Sequence, residues 1–204
     1  AKKLAAHFGF AHLDSGALYR LAALSVLETG GDPKNEADAL RGAQTIDFNR
    51  AGDPKIRTDT VGKAASYVAA IPAVRTALLD FQKNFLANPP GGSPGAVMDG
   101  RDIGTVVLAE SRCKFYLTAS PEERAARRLR DYAAQGRQVG LDEVYEEIAH
   151  RDMIDSTRRV SPLAVAPGAV VIDCTAMSPT EVVAAMMQVV GGADACSTQL
   201  RKGS

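Results

Sequence analysis

Short apolar runs alternate with stretches of helical periodicity along these 204 residues. Phe10-Ala11-His12-Leu13 reads as a strand ending at Asp14-Ser15-Gly16. A helix from about Ala17 to Thr29 follows, closed by Gly30-Gly31. Glu36 to Ala43 reads as an exposed helix. Val61 to Ala70 and Pro72 to Phe85 read as two more, broken before Pro72. Between them Phe48 to Lys55 is a turn or the short remnant of something longer, and Asn88 to Gly95 is a loop. Ala96-Val97-Met98, Cys113 to Leu117 and Val170 to Asp173 read as further strands. Ser120-Pro121-Glu122-Glu123 and Ser178-Pro179-Thr180-Glu181 each place Ser at an N-cap, Pro at N1 and Glu at N3. They predict helices fraying near Gly136 and running through Val190, with a third helix from about Asp142 to Ser156. Short strands alternating with helices predict an α/β fold, a parallel sheet covered by helices on both faces. One domain over 1–190 is expected, with 191–204 a polar, frayed tail.

The first residues read as the end of a helix stopped by Gly9, with no cap and no Met ahead of Ala1. Residues preceding Ala1 are therefore expected. Apolar residues make up 46% of the chain, enough for a real core, and the net charge is zero. That balance argues against a protein built to grip nucleic acid or an anionic membrane. No run approaches the roughly 18 apolar residues of a membrane span. Cys113, Cys174 and Cys196 have neither disulfide-framework nor zinc spacing, which suits a cytoplasmic protein, and Cys113 and Cys174 read as inert buried thiols. A monomer is expected, since no large apolar helix face is left unexplained.

The densest chemistry is Asp99-Gly100-Arg101-Asp102, where a strand ends. Charges there are costly unless paired or facing a ligand, and ligands of open α/β sheets bind beyond the strand carboxyl ends. A structural Asp–Arg pair beside a turn is the plain alternative. The arginines shift the balance. Arg20 lies on the first turns of a helix that begins at a strand end, and Arg75 follows Pro72. Arg151, Asp155 and Arg158 are spaced i, i+4 and i+7, one helical face. Arginine rather than lysine at such positions suits bidentate binding of phosphate or a base edge. His7, His12 and His150 have no metal or triad spacing. His12 reads as half-buried and the other two as exposed.

Four segments carry a resemblance to the bacterial cytidylate kinases, members of the P-loop nucleoside monophosphate kinases. They are Leu13 to Arg20, Ala64-Ala65-Ser66 through Arg75, Asp99 to Val107, and Arg151-Asp152 through Arg158. The resemblance implies a three-layer P-loop kinase fold with core segments 1–30 and 96–190. It also implies an acceptor-binding helical region over about 31–95 and a lid over about 124–158. The implied reaction moves the γ-phosphoryl group of ATP, with Mg²⁺, to CMP or dCMP. By the same likeness Arg20 and Arg101 hold the acceptor phosphate. Ser15, Arg75, Asp102 and Arg158 read cytosine. Ser66, Arg151 and Asp155 contact the sugar, Arg151 also reaching toward phosphate. Arg128 joins Arg20 and Arg101 as the catalytic arginines, from a lid set of Arg124, Arg127, Arg128 and Arg130. Asp99 stands on the Mg²⁺ side, through water.

Two departures from the family pattern stand out. The glycine-rich phosphate loop ending Gly-Lys-Gly/Ser-Thr, with the strand before it, is not in these residues. The longer insertion expected between positions like Phe48 and Lys55 is reduced to a few residues. Dropped mobile segments explain both, and a truncated, non-catalytic nucleotide-binding chain is the alternative. A P-loop kinase of another small acceptor also stays open.

Overall fold

The computed structural model describes residues 1–191. The elements, in chain order, are α1 (Lys2–Phe8), β1 (Ala11–Asp14), α2 (Ser15–Glu28), α3 (Glu36–Gln44), α4 (Asp59–Ala70) and α5 (Pro72–Ala87). Then follow β2 (Ala96–Asp99), β3 (Phe115–Thr118), α6 (Pro121–Ala134), α7 (Leu141–Thr157), β4 (Val170–Asp173) and α8 (Pro179–Gly191). The frayed tail expected at 191–204 lies, apart from Gly191 at the end of α8, outside the described residues.

The α/β class and the parallel pairing are as expected. The strands form two separate parallel pairs, β1 with β2 and β3 with β4. In the second pair Leu117, Val170 and Val171 are exposed, where a fully covered parallel sheet would bury them. Strand pairing is set by distant partners, so four-residue apolar runs do not reveal which strands adjoin.

Local signals hold more closely. Gly9 stops α1 in the left-handed region at φ 66°. α2 begins at Ser15, two residues before the expected start, because the Asp14 carboxylate accepts from the Ala17 N–H at 3.2 Å and caps it. The Ser178 box closes in both directions: Ser178 N–H donates to Glu181 at 2.7 Å, and Glu181 N–H to Ser178 Oγ at 3.3 Å. At Ser120 half the box is replaced, since its N–H donates to Thr175 Oγ1 at 2.9 Å and Glu123 turns to Arg127.

Where a turn or a short remnant was expected, residues 48–57 form a packed connection of turns. Two 3₁₀ turns, Phe48–Gly52 and Pro54–Arg57, are capped by Asp47 and Asp53, and Ile56 is fully buried. Arg50 forks onto Glu28 with two bonds of 2.9 Å. Cys113 also departs from expectation. It is half-buried and disulfide-bonded, not a buried thiol, whereas Cys174 is buried and free. Sequence spacing does not report which sulfurs meet in space.

The main core joins α2, α3, α4 and α5 through Leu18, Leu24, Ile56, Val68, Val74 and Leu78. Gly42 lets α3 lie against α2, since a Cβ there would stand 2.7 Å from the Ala22 carbonyl. The arm of α6 and α7 has a smaller cluster of its own, Ala125, Tyr132 and Val144. Among the described residues no single helix is long and apolar enough to cross a membrane.

Candidate active site

β1 and β2 run parallel with Asp14 beside Asp99, so both strands deliver a carboxylate at the same end. Asp14 caps α2 and pairs with Arg57 at 3.0 Å. Asp99 accepts from His12 Nε2 at 2.7 Å. After Asp99 the chain turns through Gly100 to Asp102 and then a π-helical turn, Ile103–Val107, with Leu108 N–H on the Ile103 carbonyl at 2.7 Å. Such wide turns recur at functional sites. Here it leaves Arg101 and Asp102 facing a cavity of about 200 Å³. A Cβ at Gly100 would stand 2.1 Å from Ser15 Oγ, so a larger residue there would force that hydroxyl to move.

All nine residues expected to bind substrate line that cavity: Ser15, Arg20, Ser66, Arg75, Arg101, Asp102, Arg151, Asp155 and Arg158. Asp99 joins them. Asp14, Tyr19 and Arg57 line it too, and the reading of the sequence gave none of them a role. The first two lie in the segment from Leu13 to Arg20. Arg57 stands in the shortened connection, where nothing local marks it.

Arg75 and Asp102 form a buried ion pair, and Arg75 also donates to the Ala69 carbonyl at 3.0 Å. The Tyr19 ring lies under Arg75, 5.4 Å from centroid to guanidinium carbon. Arg20, almost fully buried, donates to the Ile56 carbonyl at 2.8 Å. Gly62 leaves room for it, a Cβ there coming within 3.2 Å of its guanidinium. Asp155 is a hub. Arg101 Nε donates to it at 2.8 Å, with Arg158 and Arg151 at 3.8 and 3.9 Å. Arg158 is held by the Ser161 carbonyl at 2.7 Å, and Ser161 adopts φ 52° to present it.

The cations are uncomfortable as they stand. Burial, then the charges of Arg151, Arg57 and Arg128, push Arg20 down to about 10. Burial followed by Arg101 lowers Arg151, and burial followed by Arg75 lowers Arg158. Arg151 Nε and Arg158 Nη2 are buried without a hydrogen-bond partner. The cavity lining holds six guanidiniums and four carboxylates, an excess of two positive charges. A phosphate monoester near neutral pH carries about that much negative charge.

The lid candidates stand apart from the cavity. Arg127 donates to the Cys174 carbonyl at 2.5 Å and pairs with Glu123. Arg124 pairs with Asp152 at 2.5 Å, and exposed Arg130 pairs with Glu123. Arg128 reaches Asp59 at 3.3 Å, and its charge is felt at Arg20 and Arg151.

A sequence model described as cytidylate kinase matches residues 1–191, all of the described chain. The chain belongs to the cytidylate kinase family. Cytidylate kinase of Rhodospirillum rubrum is 46% identical over 190 residues, covering 93% of this chain and 89% of that protein. That of Methylobacterium sp. strain 4-46 is 47% identical over 169 residues, 83% of this chain and 79% of its own length. The enzyme of Paramagnetospirillum magneticum is 42% identical over 191 residues, 94% and 90%. The family is one of P-loop nucleoside monophosphate kinases, and the parallel strands and many helices seen here agree with it. For a cytidylate kinase, a strand-end cavity with two unspent positive charges is the place to look for the acceptor.

Proposed function

We infer that the chain catalyses ATP-dependent phosphorylation of CMP and dCMP to CDP and dCDP. The observation that carries this is the cavity's excess of two positive charges, in a lining where Arg151 and Arg158 each keep a buried nitrogen without a hydrogen-bond partner. Arg20 and Arg101 hold the acceptor phosphate, and Arg151 flanks it toward the sugar beside Ser66 and Asp155. Ser15, Arg75, Asp102 and Arg158 read the base. Cytosine offers an exocyclic amine to Asp102, whereas uracil would set a carbonyl against the carboxylate.

In the transfer, an oxygen of the acceptor phosphate bonds to the γ-phosphorus of ATP as the bond from that phosphorus to the β-bridging oxygen breaks. ADP leaves, and no proton need move. The protein's part is to hold the acceptor in line and to offset charge, which is most of catalysis in this chemistry. Arg128 is the lid arginine assigned to the transferring group. Its charge reaches Arg20 and Arg151, while Arg127 is spent on carbonyls and exposed Arg130 pairs with Glu123. Among the described residues no three His, Cys, Asp or Glu side chains gather as a metal site. Mg²⁺ is commonly held by one or two carboxylates, waters and substrate phosphates. Asp99, half-exposed at the strand end, fits that outer role. When bound, the ion neutralises charge on the donor phosphates.

In this proposal the enzyme works as a monomer in the cytoplasm, with nucleotides rather than nucleic acid or membrane as partners. The 31–95 segment serves as the acceptor region and 124–158 as the lid. An assay of ADP release by the full-length protein with CMP, dCMP, UMP and AMP tests the function. CMP and dCMP should lead; rates with AMP equal to those with CMP would overturn it.

A further inference from the structure

Away from the cavity, the α6–α7 arm meets the start of α4 at one carboxylate. Asp59 is the first residue of α4, behind the Thr58 cap, so its charge sits at the positive end of the helix dipole. It accepts from Tyr132 Oη at 2.7 Å and from Arg128 at 3.3 Å, and it pairs with Arg137. The Tyr132 ring carries both guanidiniums, Arg137 at 4.1 Å and Arg128 at 4.7 Å from its centroid. Tyr132 Oη also lies 3.0 Å from Glu147 on α7. One hydroxyl proton serves one carboxylate at a time, so Glu147, inside the arm, competes with Asp59 on α4. Burial and then the Asp59 carboxylate push the Tyr132 hydroxyl up to about 12, so it remains a donor.

The junction is polar. Tyr132 and Val144 pack within the arm, while Val61, Ala64 and Val68 of α4 pack into the other core. Yet each side carries part of the cavity: Ser66 stands on α4, and Arg151, Asp155 and Arg158 on or at the end of α7. Arg128, assigned above to the transferring group, is held by the same carboxylate.

We propose that Asp59 is a positioning residue that couples the two nucleotide sites by latching the lid arm to the acceptor helix through Tyr132, Arg128 and Arg137. With the latch shut, a nucleoside monophosphate in the cavity fixes α4 and the arm together and so sets Arg128 for the donor. Because coupling is reciprocal, a bound donor tightens the acceptor by the same factor. This rests on the phosphoryl-transfer reading.

The test is calorimetric binding of CMP to the full-length protein, with and without a non-hydrolysable ATP analogue and Mg²⁺. In the parent the analogue tightens CMP by about fivefold or more. Asp59→Asn reduces that factor more than twofold, lowers kcat more than it raises KM for CMP, and leaves CMP affinity without analogue within about threefold. Asp59→Glu restores part of the coupling. Tyr132→Phe, which keeps the ring under both arginines, also loses coupling and decides the matter if Asp59→Asn does not fold. Coupling within about twofold of the parent in the folded variants, or a parent with no coupling, overturns the latch. A parent that binds CMP and phosphorylates it while the variants keep their coupling overturns the latch alone. A parent that binds no CMP overturns the reading beneath it, and the latch with it.

Discussion

The acceptor half buries Leu18, Leu24, Ile56, Val68, Val74 and Leu78 in one apolar cluster, whereas the arm of α6 and α7 has Ala125, Tyr132 and Val144. The arm's attachments to the rest are polar: Arg128, Arg137 and Tyr132 to Asp59, Arg101 to Asp155 and Arg127 to the Cys174 carbonyl. Apolar burial scales with area and is not weakened by charge screening. Partly exposed ion pairs are worth little each and are screened by salt. One half of the cleft should therefore behave as a fixed wall, and the other should open at lower free energy than global unfolding. A site that must admit one nucleotide and then exclude water needs that asymmetry.

The largest test of the contrast removes apolar volume from each side. Leu18→Ala, at a fully buried position, should cost about 2–5 kcal/mol in denaturant unfolding of the whole protein. Val144→Ala, equally buried but in the arm, should cost about 1–2 kcal/mol and speed amide exchange chiefly across 121–157. If both variants lower global stability equally and exchange alike, the two halves are one cooperative unit. Next comes salt. Raising ionic strength from about 0.1 to 1 M shortens the Debye length about threefold, so arm exchange should quicken while core exchange holds. Uniform behaviour would break the comparison.

Smaller still is the pH effect at Asp59. Burial would raise this carboxylate, but hydrogen bonds from Arg137 and Tyr132 outweigh it and hold it below the ordinary range. A depressed folded pKa adds stability that is whole above the unfolded value near 4 and is lost as pH falls through the folded one. The arm of the parent should exchange more slowly than that of Asp59→Asn by a constant factor above about pH 5, and the gap should shrink below about pH 4. A gap that widens on acidification contradicts this. The smallest effect is expected from Gly62→Ala, whose Cβ crowds the Arg20 guanidinium at 3.2 Å. CMP affinity should fall a few-fold, with unfolding little changed.

What the sequence revealed follows the range of the forces involved. The Ser178 box, the Gly9 stop and the one-face spacing of Arg151, Asp155 and Arg158 are set within a turn or two of helix, and each is present. The nine cavity residues were legible because motif segments named them together; neither spacing nor composition would join Arg20 to Arg158. Which strands pair was not legible, because pairing depends on partners some 55 to 85 residues away. Asp59, Tyr132 and Arg137 stayed hidden for the same reason, lying 73 and 78 residues apart in chain and outside every motif. Half of the Ser120 box was lost to Thr175, a tertiary competitor that no local pattern announces.

The central claim is that the cavity's two surplus positive charges are filled by the acceptor's phosphate. Calorimetry with CMP and with cytidine, under identical low-salt conditions near pH 7.5, tests it most directly. Two charge-assisted contacts of about 1.5–3 kcal/mol each predict CMP tighter than cytidine by about 100-fold or more. The preference should decline as pH drops below about 6 and the phosphate dianion takes up one proton. Equal affinities for CMP and cytidine would contradict it.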